Sequence, residues 1–313
     1  MSTPSLRRLI LFSIFVALLV SAFFATRSEA QANSVKEIAP GVWFRQGDIE
    51  RYGHCNNTII EMKDYLIVVD ANWPSGARLA MEDARKVSKK PVKYVFDTHH
   101  HGDHSYGNAV WTQAGAITLA YIGVAEEMKR VEPGRWQAMA KTQKDVAAMN
   151  QPSVEPPMET FQKSPHVISD GTRRVEFHHF GWAHTRGDGW VYLPKEQVLC
   201  SGDAAANGPW NYIADANIGN WPKVIEAAQK LKVKHVLPGH GPAGGPEVLS
   251  GQKEFFVELW KAAEAAVRNG TKPEDVTLPE SVKLYLSPSL KGQVKAAMAE
   301  ITEKKPTGEM TQQ

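Results

Sequence analysis

The chain of 313 residues has only two cysteines, Cys55 and Cys200. That is too few for a scaffold held together by a disulfide framework, although a single bridge between the two stays open. No segment recurs at the periods of roughly 20 to 50 residues that mark solenoids. One long apolar run, Leu9 to Ala25, is present, which excludes a multi-pass membrane architecture. A composition of 42% apolar and 22% charged residues excludes collagen-like and disordered chains and supports a globular core. Surplus charge is lacking as well. Residues 1–30 hold three of the 36 basic and one of the 34 acidic side chains, so the remainder balances at 33 of each. A general nucleic-acid binder draws its affinity from surplus Lys and Arg, so none is expected here and a small-molecule partner is.

The first thirty residues read as a targeting segment. Arg7 and Arg8 precede the apolar run, which only Ser13 and Ser21 interrupt, and Ser28-Glu29-Ala30 supplies the small residues a signal peptidase reads. The expectation is a signal peptide over 1–30, a periplasmic or secreted product and no stable membrane insertion after cleavage. The alternative is an uncleaved anchor, since 17 residues just reach across a bilayer.

Residues 31–313 are expected to form a single domain. Strand-like runs cover Gly41–Gln46, Asn57–Met62 and Tyr65–Asp70, with Lys63-Asp64 as a hairpin turn. Ser75 is placed to cap a helix reaching Val87, and Val92–Asp97 returns to strand after Pro91. A helical insert is expected near 121–160. Strands resume at His166–Ile168, Thr172–Phe180, Trp190–Leu193, Gln197–Cys200 and His235–Leu237. Asn220 is placed to cap a helix ending near Leu231. C-terminal helices follow, one opened by Pro246 and closed by Gly270, one from Leu290 to Ile301, and the tail beyond Lys304 is expected to fray. Strand sets each followed by helices predict a layered α/β sandwich.

Four of the eleven histidines fall within His99-His100-His101-Gly102-Asp103-His104, directly after the Val92–Asp97 strand. A solvated charge cluster or a loosely metal-binding tract would account for this much. In the functional reading, His99 and His101 face one site and Asp103 and His104 a neighbouring one, with His100 pointing away. Imidazole and carboxylate ligands suit zinc or a similar borderline metal. Both sites would be incomplete, so further ligands are expected at later strand ends. His184 lies in His184-Thr185-Arg186-Gly187-Asp188, Asp203 follows Cys200, and His240 sits in Gly239-His240-Gly241.

The H-x-H-x-D-H motif at 99–104, the later His-Thr-x-Gly-Asp, Ser-Gly-Asp and Gly-His-Gly, in that order, resemble the metallo-β-lactamase superfamily. The resemblance runs from Gly41 to His240. It implies a four-layer αββα sandwich with two metals at one edge of the packed sheets. By position, His99, His101 and His184 match the ligands of a first metal, Asp103, His104 and His240 those of a second, and Asp203 the carboxylate that bridges both. The implied cofactors are two Zn²⁺, with iron or manganese as alternatives. Water held between such cations is deprotonated near neutral pH. Asp103 would orient it and pass a proton to the leaving group, making Asp103 the catalytic residue. Thr98 and Asp188 are candidates to hold ligands by hydrogen bonds.

The resemblance is less specific about substrate. Familiar lactamases of the superfamily replace the bridging Asp by Cys or Ser, whereas Asp203 is kept here, as in thioesterases, lactonases and phosphoesterases. Export favours a β-lactam. The expected activity is a zinc-dependent hydrolase of a small ester, lactone, thioester or cyclic amide, with a β-lactam the leading named case. The alternatives are a mononuclear iron persulfide dioxygenase and a non-catalytic exported metal-binding protein. No substrate-binding residue is assigned. Pocket walls are expected from Gly53–Asn57, Tyr121–Phe161 and Asn207–Ile218, with Trp73, Trp210, Tyr212 and Trp221 as candidate apolar lining. His100→Ala is expected to be nearly silent.

Overall fold

Two short-range rules, alternation along strands and right-handed crossover between parallel ones, account for most of the chain path. A computed structural model describes residues 32–311; the expectation of a signal peptide over 1–30 lies outside the described residues. In chain order the first half contains β1 (Val35–Ala39), β2 (Val42–Arg45), α1 (Ile49–Tyr52), β3 (Asn57–Glu61), β4 (Leu66–Val69), α2 (Pro74–Val87) and β5 (Val92–Asp97). Next come α3 (Gly102–Ser105), α4 (Asn108–Gln113), β6 (Ile117–Tyr121), α5 (Ile122–Ala140), α6 (Lys144–Ala147) and β7 (Glu159–Phe161). The second half holds β8 (His166–Ser169), β9 (Arg174–His178), β10 (Trp190–Leu193), β11 (Val198–Gly202), α7 (Trp221–Ala228) and β12 (His235–Pro238). It ends with α8 (Glu247–Asn269), α9 (Leu290–Glu303) and α10 (Thr307–Met310).

The first sheet has seven strands in the order β1-β2-β3-β4-β5-β6-β7, antiparallel up to β4 and parallel from there. The second has five, β12-β11-β10-β9-β8, with only β11 and β12 parallel. Side chains alternate between the two faces along the strands. In β4, Ile67 and Val69 face the second sheet, where they join Phe177, Val191 and Val198, while Leu66 and Val68 pack under Ala77, Ala80 and Ala84 of α2. In β10, Val191 and Leu193 face inward while Trp190 and Tyr192 pack beneath α7, α8 and α9. Strands covered on both faces read as unbroken apolar runs, as Leu66-Ile67-Val68-Val69 does. The result is a four-layer αββα sandwich.

Several local expectations change. Strand β1 pairs with β2 ahead of the first run read from sequence, β6 extends the sheet from a stretch for which no element was read, and β7 extends it at the end of the expected helical insert. The insert is two helices, α5 and α6. Helix α2 starts at Pro74 without a side-chain cap, and the Ser75 hydroxyl instead donates to Asp145 Oδ2 at 2.7 Å. Asn220 precedes α7 but gives no capping bond; its amide donates to the Trp182 carbonyl, and α7 ends at Ala228. The pair Pro246 and Gly270 does bound α8, Gly270 closing it with φ +67°. The tail beyond Lys304 is folded, not frayed, as helix α10 with Thr307 and Gly308 buried. Cys55 and Cys200 are both buried and free, Cys200 as a core residue between the sheets. No helix among the described residues is long and apolar enough to cross a membrane.

Candidate metal centre

All of the candidate ligands lie just past strand ends on one edge of the two sheets. After β5, the chain makes one helical turn, in which the His104 and Ser105 amides both donate to the His101 carbonyl at 3.0 Å. That turn separates His99 and His101 from Asp103 and His104. His184 follows β9, Asp203 follows β11 and His240 follows β12. Gly239 is required by close approach, because a Cβ there would lie 2.3 Å from Asp203 Oδ1.

His99, His101 and His184 form a tripod. Their ring centroids are pairwise 4.7 Å apart, with interplanar angles of 83°, 87° and 88°. His101 Nδ1 lies 3.1 Å from His99 Nε2 and 3.0 Å from His184 Nε2. Between neutral rings hydrogen bonds do not account for these spacings, because the opposite ring nitrogens hold the protons. His184 Nδ1 faces the Tyr212 carbonyl at 2.9 Å and must donate to it, and His101 Nε2 faces Asp215 Oδ2 at 2.7 Å. The Thr98 hydroxyl donates to Asp70 Oδ1 at 2.8 Å, which leaves its oxygen to accept from His99 Nδ1 at 3.1 Å. Three lone pairs therefore converge on one point. A tetrahedral cation with bonds of about 2.0–2.1 Å spaces its nitrogen ligands about 3.3 Å apart, close to what is seen. Burial, reinforced by neighbouring histidines, holds His184 down to about 3 and His99 well below the ordinary imidazole range, so both stay neutral.

Beside the tripod, His240 Nε2 sits 2.9 Å from Asp103 Oδ2 and 3.3 Å from His104 Nε2. His104 Nδ1 donates to Asp70 Oδ2 at 2.9 Å, which leaves Nε2 as the nitrogen facing the cluster, for a proton or a cation to occupy. Asp203 stands between the two groups: Oδ1 is 3.4 Å from His104 Nε2, and Oδ2 is 3.4 Å from His240 Nε2 and 3.8 Å from His184 Nε2. Asp203 Oδ1 is buried with no hydrogen-bond partner, the kind of orphan a cation would satisfy. Burial resists ionisation of Asp203, but His240, His104 and His184 outweigh it and hold the carboxyl at about 2. Burial likewise opposes charge on His104, yet Cys55, Asp103, Asp203 and Asp70 together raise its pKa well above the usual range. An excess of negative groups that retains protons on histidine is a site built for positive charge. The residues present fit two metal ions.

Of the two supporting residues read from sequence, Thr98 bridges Asp70 and His99. Asp188 fixes the His184 turn, accepting from the backbone N–H of Ala183, His184 and Thr185 and from the Thr185 hydroxyl at 2.7–3.2 Å. Burial pushes its carboxyl up to about 7 against those four donors. Four supporting residues were not read from the sequence: Asp70, Glu132, Arg135 and Asp215. Arg135 clasps Asp215 with both terminal nitrogens at 2.8 and 2.7 Å, and Glu132 accepts from Tyr106 and lies 3.3 Å from Arg135. None has a motif around it.

His100 points away from the tripod, but into this network. Its side chain is fully buried, with Nε2 3.6 Å from Asp215 Oδ2 and 3.7 Å from Glu132 Oε1. Silence of His100→Ala is therefore no longer expected.

A cavity of about 750 Å³ opens over the two groups. Trp73, Tyr106, Met139, Trp210 and Tyr212 supply its apolar wall, and Asp103, Asp203 and His240 its floor. Trp221 takes no part; it is fully buried, stacked on Phe256 with centroids 3.9 Å apart. The wall includes Ile49 in place of the expected 53–57 segment, and the C-terminal turn Ser287-Pro288-Ser289 contributes unexpectedly. His54 is engaged by Ser75 at 2.9 Å, and Cys55 is buried beside His104 and Asp70.

Asp70 has φ +69°, a conformation Asn tolerates, so Asp70→Asn leaves the backbone in place while turning an amide N–H toward His104 Nδ1. That moves the His104 proton onto the metal-facing nitrogen. Metal affinity is expected to fall about 10- to 100-fold in a chelator competition titration. His100→Ala is expected to lower stability by about 1–3 kcal/mol in denaturant unfolding, since it leaves a cavity between charged groups.

The model of the metallo-beta-lactamase superfamily matches residues 51–240. The metallo-beta-lactamase type 2 of Bacillus cereus is 25% identical over 195 residues, which is 60% of this chain and 68% of that protein. The metallo-beta-lactamase IND-1 of Chryseobacterium indologenes is 26% identical over 213 residues, 65% of this chain and 77% of its own. The human acyl-coenzyme A thioesterase MBLAC2 is 23% identical over 245 residues, 68% of this chain and 83% of its own. Among solved structures, a metallo-beta-lactamase from Pontibacter korlensis superposes with a TM-score of 0.57 at 23% identity, covering 72% of this chain and 98% of that one. With more than half of its length matched by the family model and the ligand-bearing strand ends inside that match, this chain belongs to the metallo-beta-lactamase superfamily.

Proposed function

We propose that this metal-dependent hydrolase is an exported dinuclear zinc enzyme that cleaves a small cyclic amide, a β-lactam first among them, or a related lactone, ester or thioester. The observation that carries the reading is the convergence of proton-free nitrogens from His99, His101 and His184 beside a second group, Asp103, His104 and His240, with Asp203 between them. His99, His101 and His184 would hold one zinc, Asp103, His104 and His240 the other, and Asp203 would touch both. Bound zinc would supply a Lewis acid for the carbonyl oxygen and a water acidic enough to attack near neutral pH. A second complete ligand group favours this over a mononuclear iron oxygenase. Export rests on the pattern of residues 7–30.

The side chains themselves do the positioning. Asp103 is 22% exposed at the cavity floor, and His104 and His240 keep it ionised well below the usual carboxyl range despite burial. Its free oxygen lone pairs can accept a hydrogen bond from the attacking water and steer it. Once the ring opens, the same carboxyl is placed to relay the water's proton to the leaving nitrogen, oxygen or sulfur. Trp73, Trp210 and Tyr212 flank the floor and offer flat apolar surface to the body of the substrate. A cavity of about 750 Å³ suits a molecule of drug-like size. The relatives named as lactamases support an amide substrate and the one named as a thioesterase a thioester.

Elemental analysis of the purified enzyme is expected to give about two zinc per chain; one iron per chain would overturn the reading. The zinc-loaded enzyme should turn over a chromogenic β-lactam, or failing that a lactone or thioester of similar size, without oxygen. Inertness across that panel would leave metal binding without catalysis and sink the hydrolase mechanism. Asp103→Asn is expected to lower kcat about 100-fold or more in steady-state kinetics while zinc stays bound at the tripod.

A further inference from the structure

The residues that fix two of the three tripod protons belong to one loop. Tyr212 gives the carbonyl that accepts from His184 Nδ1, and Asp215 gives the carboxylate that accepts from His101 Nε2. The loop also ties itself to the His184 turn, since the Asn217 amide donates to the Ala183 carbonyl at 2.9 Å. Position 212–220 has no regular structure of its own to hold it. Besides Arg135, which clasps Asp215, and Trp182, whose Nε1 donates to the Asp215 carbonyl at 2.8 Å, what holds it comes from the far C-terminus. On α9, Gln293 and Glu300 lie seven residues apart and so share one face. Gln293 Nε2 donates to the Asn211 carbonyl at 2.7 Å, and Glu300 accepts from the Ile218 and Gly219 amides, both at 3.0 Å. Both side chains are buried.

The tail beyond α9 then closes over the same loop. The Thr307 amide donates to Glu300 Oε1 at 2.7 Å, the Gly308 amide to the Ala216 carbonyl at 2.9 Å, and the Thr311 hydroxyl to the Ala214 carbonyl at 2.6 Å. Glu309 pairs with Arg186, inside the His184 turn, at 3.1 Å. At Gly308 the packing leaves no room for a side chain, since a Cβ would lie 2.6 Å from the Asp215 carbonyl oxygen and 2.9 Å from Trp182.

We infer that the C-terminal segment 290–311 is the positioning element of the first metal site, with Glu300 and Gly308 setting where Asp215 and Tyr212 stand and thereby which nitrogens of His101 and His184 are free to bind. The inference rests on the two-metal reading given above and extends it to residues outside the matched stretch 51–240. It makes a selective statement. The second group takes its support from Asp70, on the other sheet, so its affinity should not depend on the tail.

The test uses the full chain carrying Gly308→Ala, a change that favours helix at that position but drives Cβ into the Asp215 carbonyl. Glu300→Gln serves as the second variant; it keeps the shape and replaces one acceptor oxygen by an amide donor facing backbone N–H groups. Zinc affinity is measured against a chromophoric chelator in each variant alone and combined with His240→Ala, so that in the combined protein the affinity read is that of the tripod. Metal-free thermal unfolding is followed in parallel. The expected result is a loss of about tenfold or more in tripod affinity with little change at the second site, alongside only the modest fall in metal-free unfolding temperature that local crowding or a lost buried acceptor brings. Asp215→Asn should reproduce the same selective loss. Equal weakening of both sites together with a fall in metal-free stability would overturn the inference, showing that the tail only supports the fold. Affinities unchanged in both variants would overturn it as well. If the parent chain itself takes up no zinc, the two-metal reading fails first and this inference with it.

Discussion

A histidine can offer a lone pair to a metal only if its other ring nitrogen has somewhere to put a proton, and at this site those places are scattered through the fold. Asp70 serves both metal groups at once. Its Oδ2 takes the His104 proton directly, and its Oδ1 takes the Thr98 hydroxyl proton, which leaves Thr98 to accept from His99. One carboxylate therefore sets the tautomer of a ligand in each group. Its own position follows from strand pairing. The parallel register of β4 on β5 matches Val69 with Phe96, so Asp70 emerges level with Asp97 and Thr98, and its amide donates to the Phe96 carbonyl at 2.8 Å. A slip of one residue would turn Asp70 to the other face and release both histidines.

The arrangement opposes folding when it stands alone. Asp103, Asp203 and Asp70 are drawn together with His104 and His240 in a buried cluster, beside the facing nitrogens of His99, His101 and His184, and gathering that many polar groups out of water is costly even where they pair. The sandwich supplies the compensation. The inter-sheet layer built on Phe96, Phe177, Val191 and Leu237 and the outer layer on Trp190, Trp221 and Phe256 are fully buried or nearly so, and each such large side chain contributes about 1.5–3 kcal/mol on burial.

The candidate ligands that the fold brings together were legible as a cluster because their pattern is local. His99, His101, Asp103 and His104 sit within six residues, and His184, Asp203 and His240 each follow an apolar run into a Gly-containing turn. The residues that aim them were not legible, because each acts across a long separation: Asp215 reaches His101 over 114 residues, Arg135 reaches Asp215 over 80, and Glu300 reaches Ile218 over 82. No spacing rule connects such pairs before the fold does. The same reason explains the smaller misreadings. Ser75 carries the right chemistry for a helix cap but finds a stronger acceptor in Asp145, 70 residues on. The polar composition after Lys304 suggests an unanchored tail, yet Gly308 is the one residue small enough to lie against Asp215. Trp221 looks like a cavity aromatic until α8 brings Phe256 to its face.

Chemistry and selectivity are carried by different parts of this chain. The ligand set sits at strand ends, where the sheets leave little freedom. Beside Ile49, Trp73 and Tyr106, the cavity wall comes from α5, from the 209–212 stretch and from the 287–289 turn, three segments that no strand register constrains. Within the superfamily, proteins named as lactamases and as a thioesterase resemble this chain to a similar degree, which is what a shared floor under different walls would give. In this protein the wall and the floor are not independent, however. Arg135 of α5 and Tyr212 both line the cavity, and both also contact the groups that set the His101 and His184 protons. A substrate that presses on Tyr212 or draws Arg135 away from Asp215 acts on the tripod as well as on the wall.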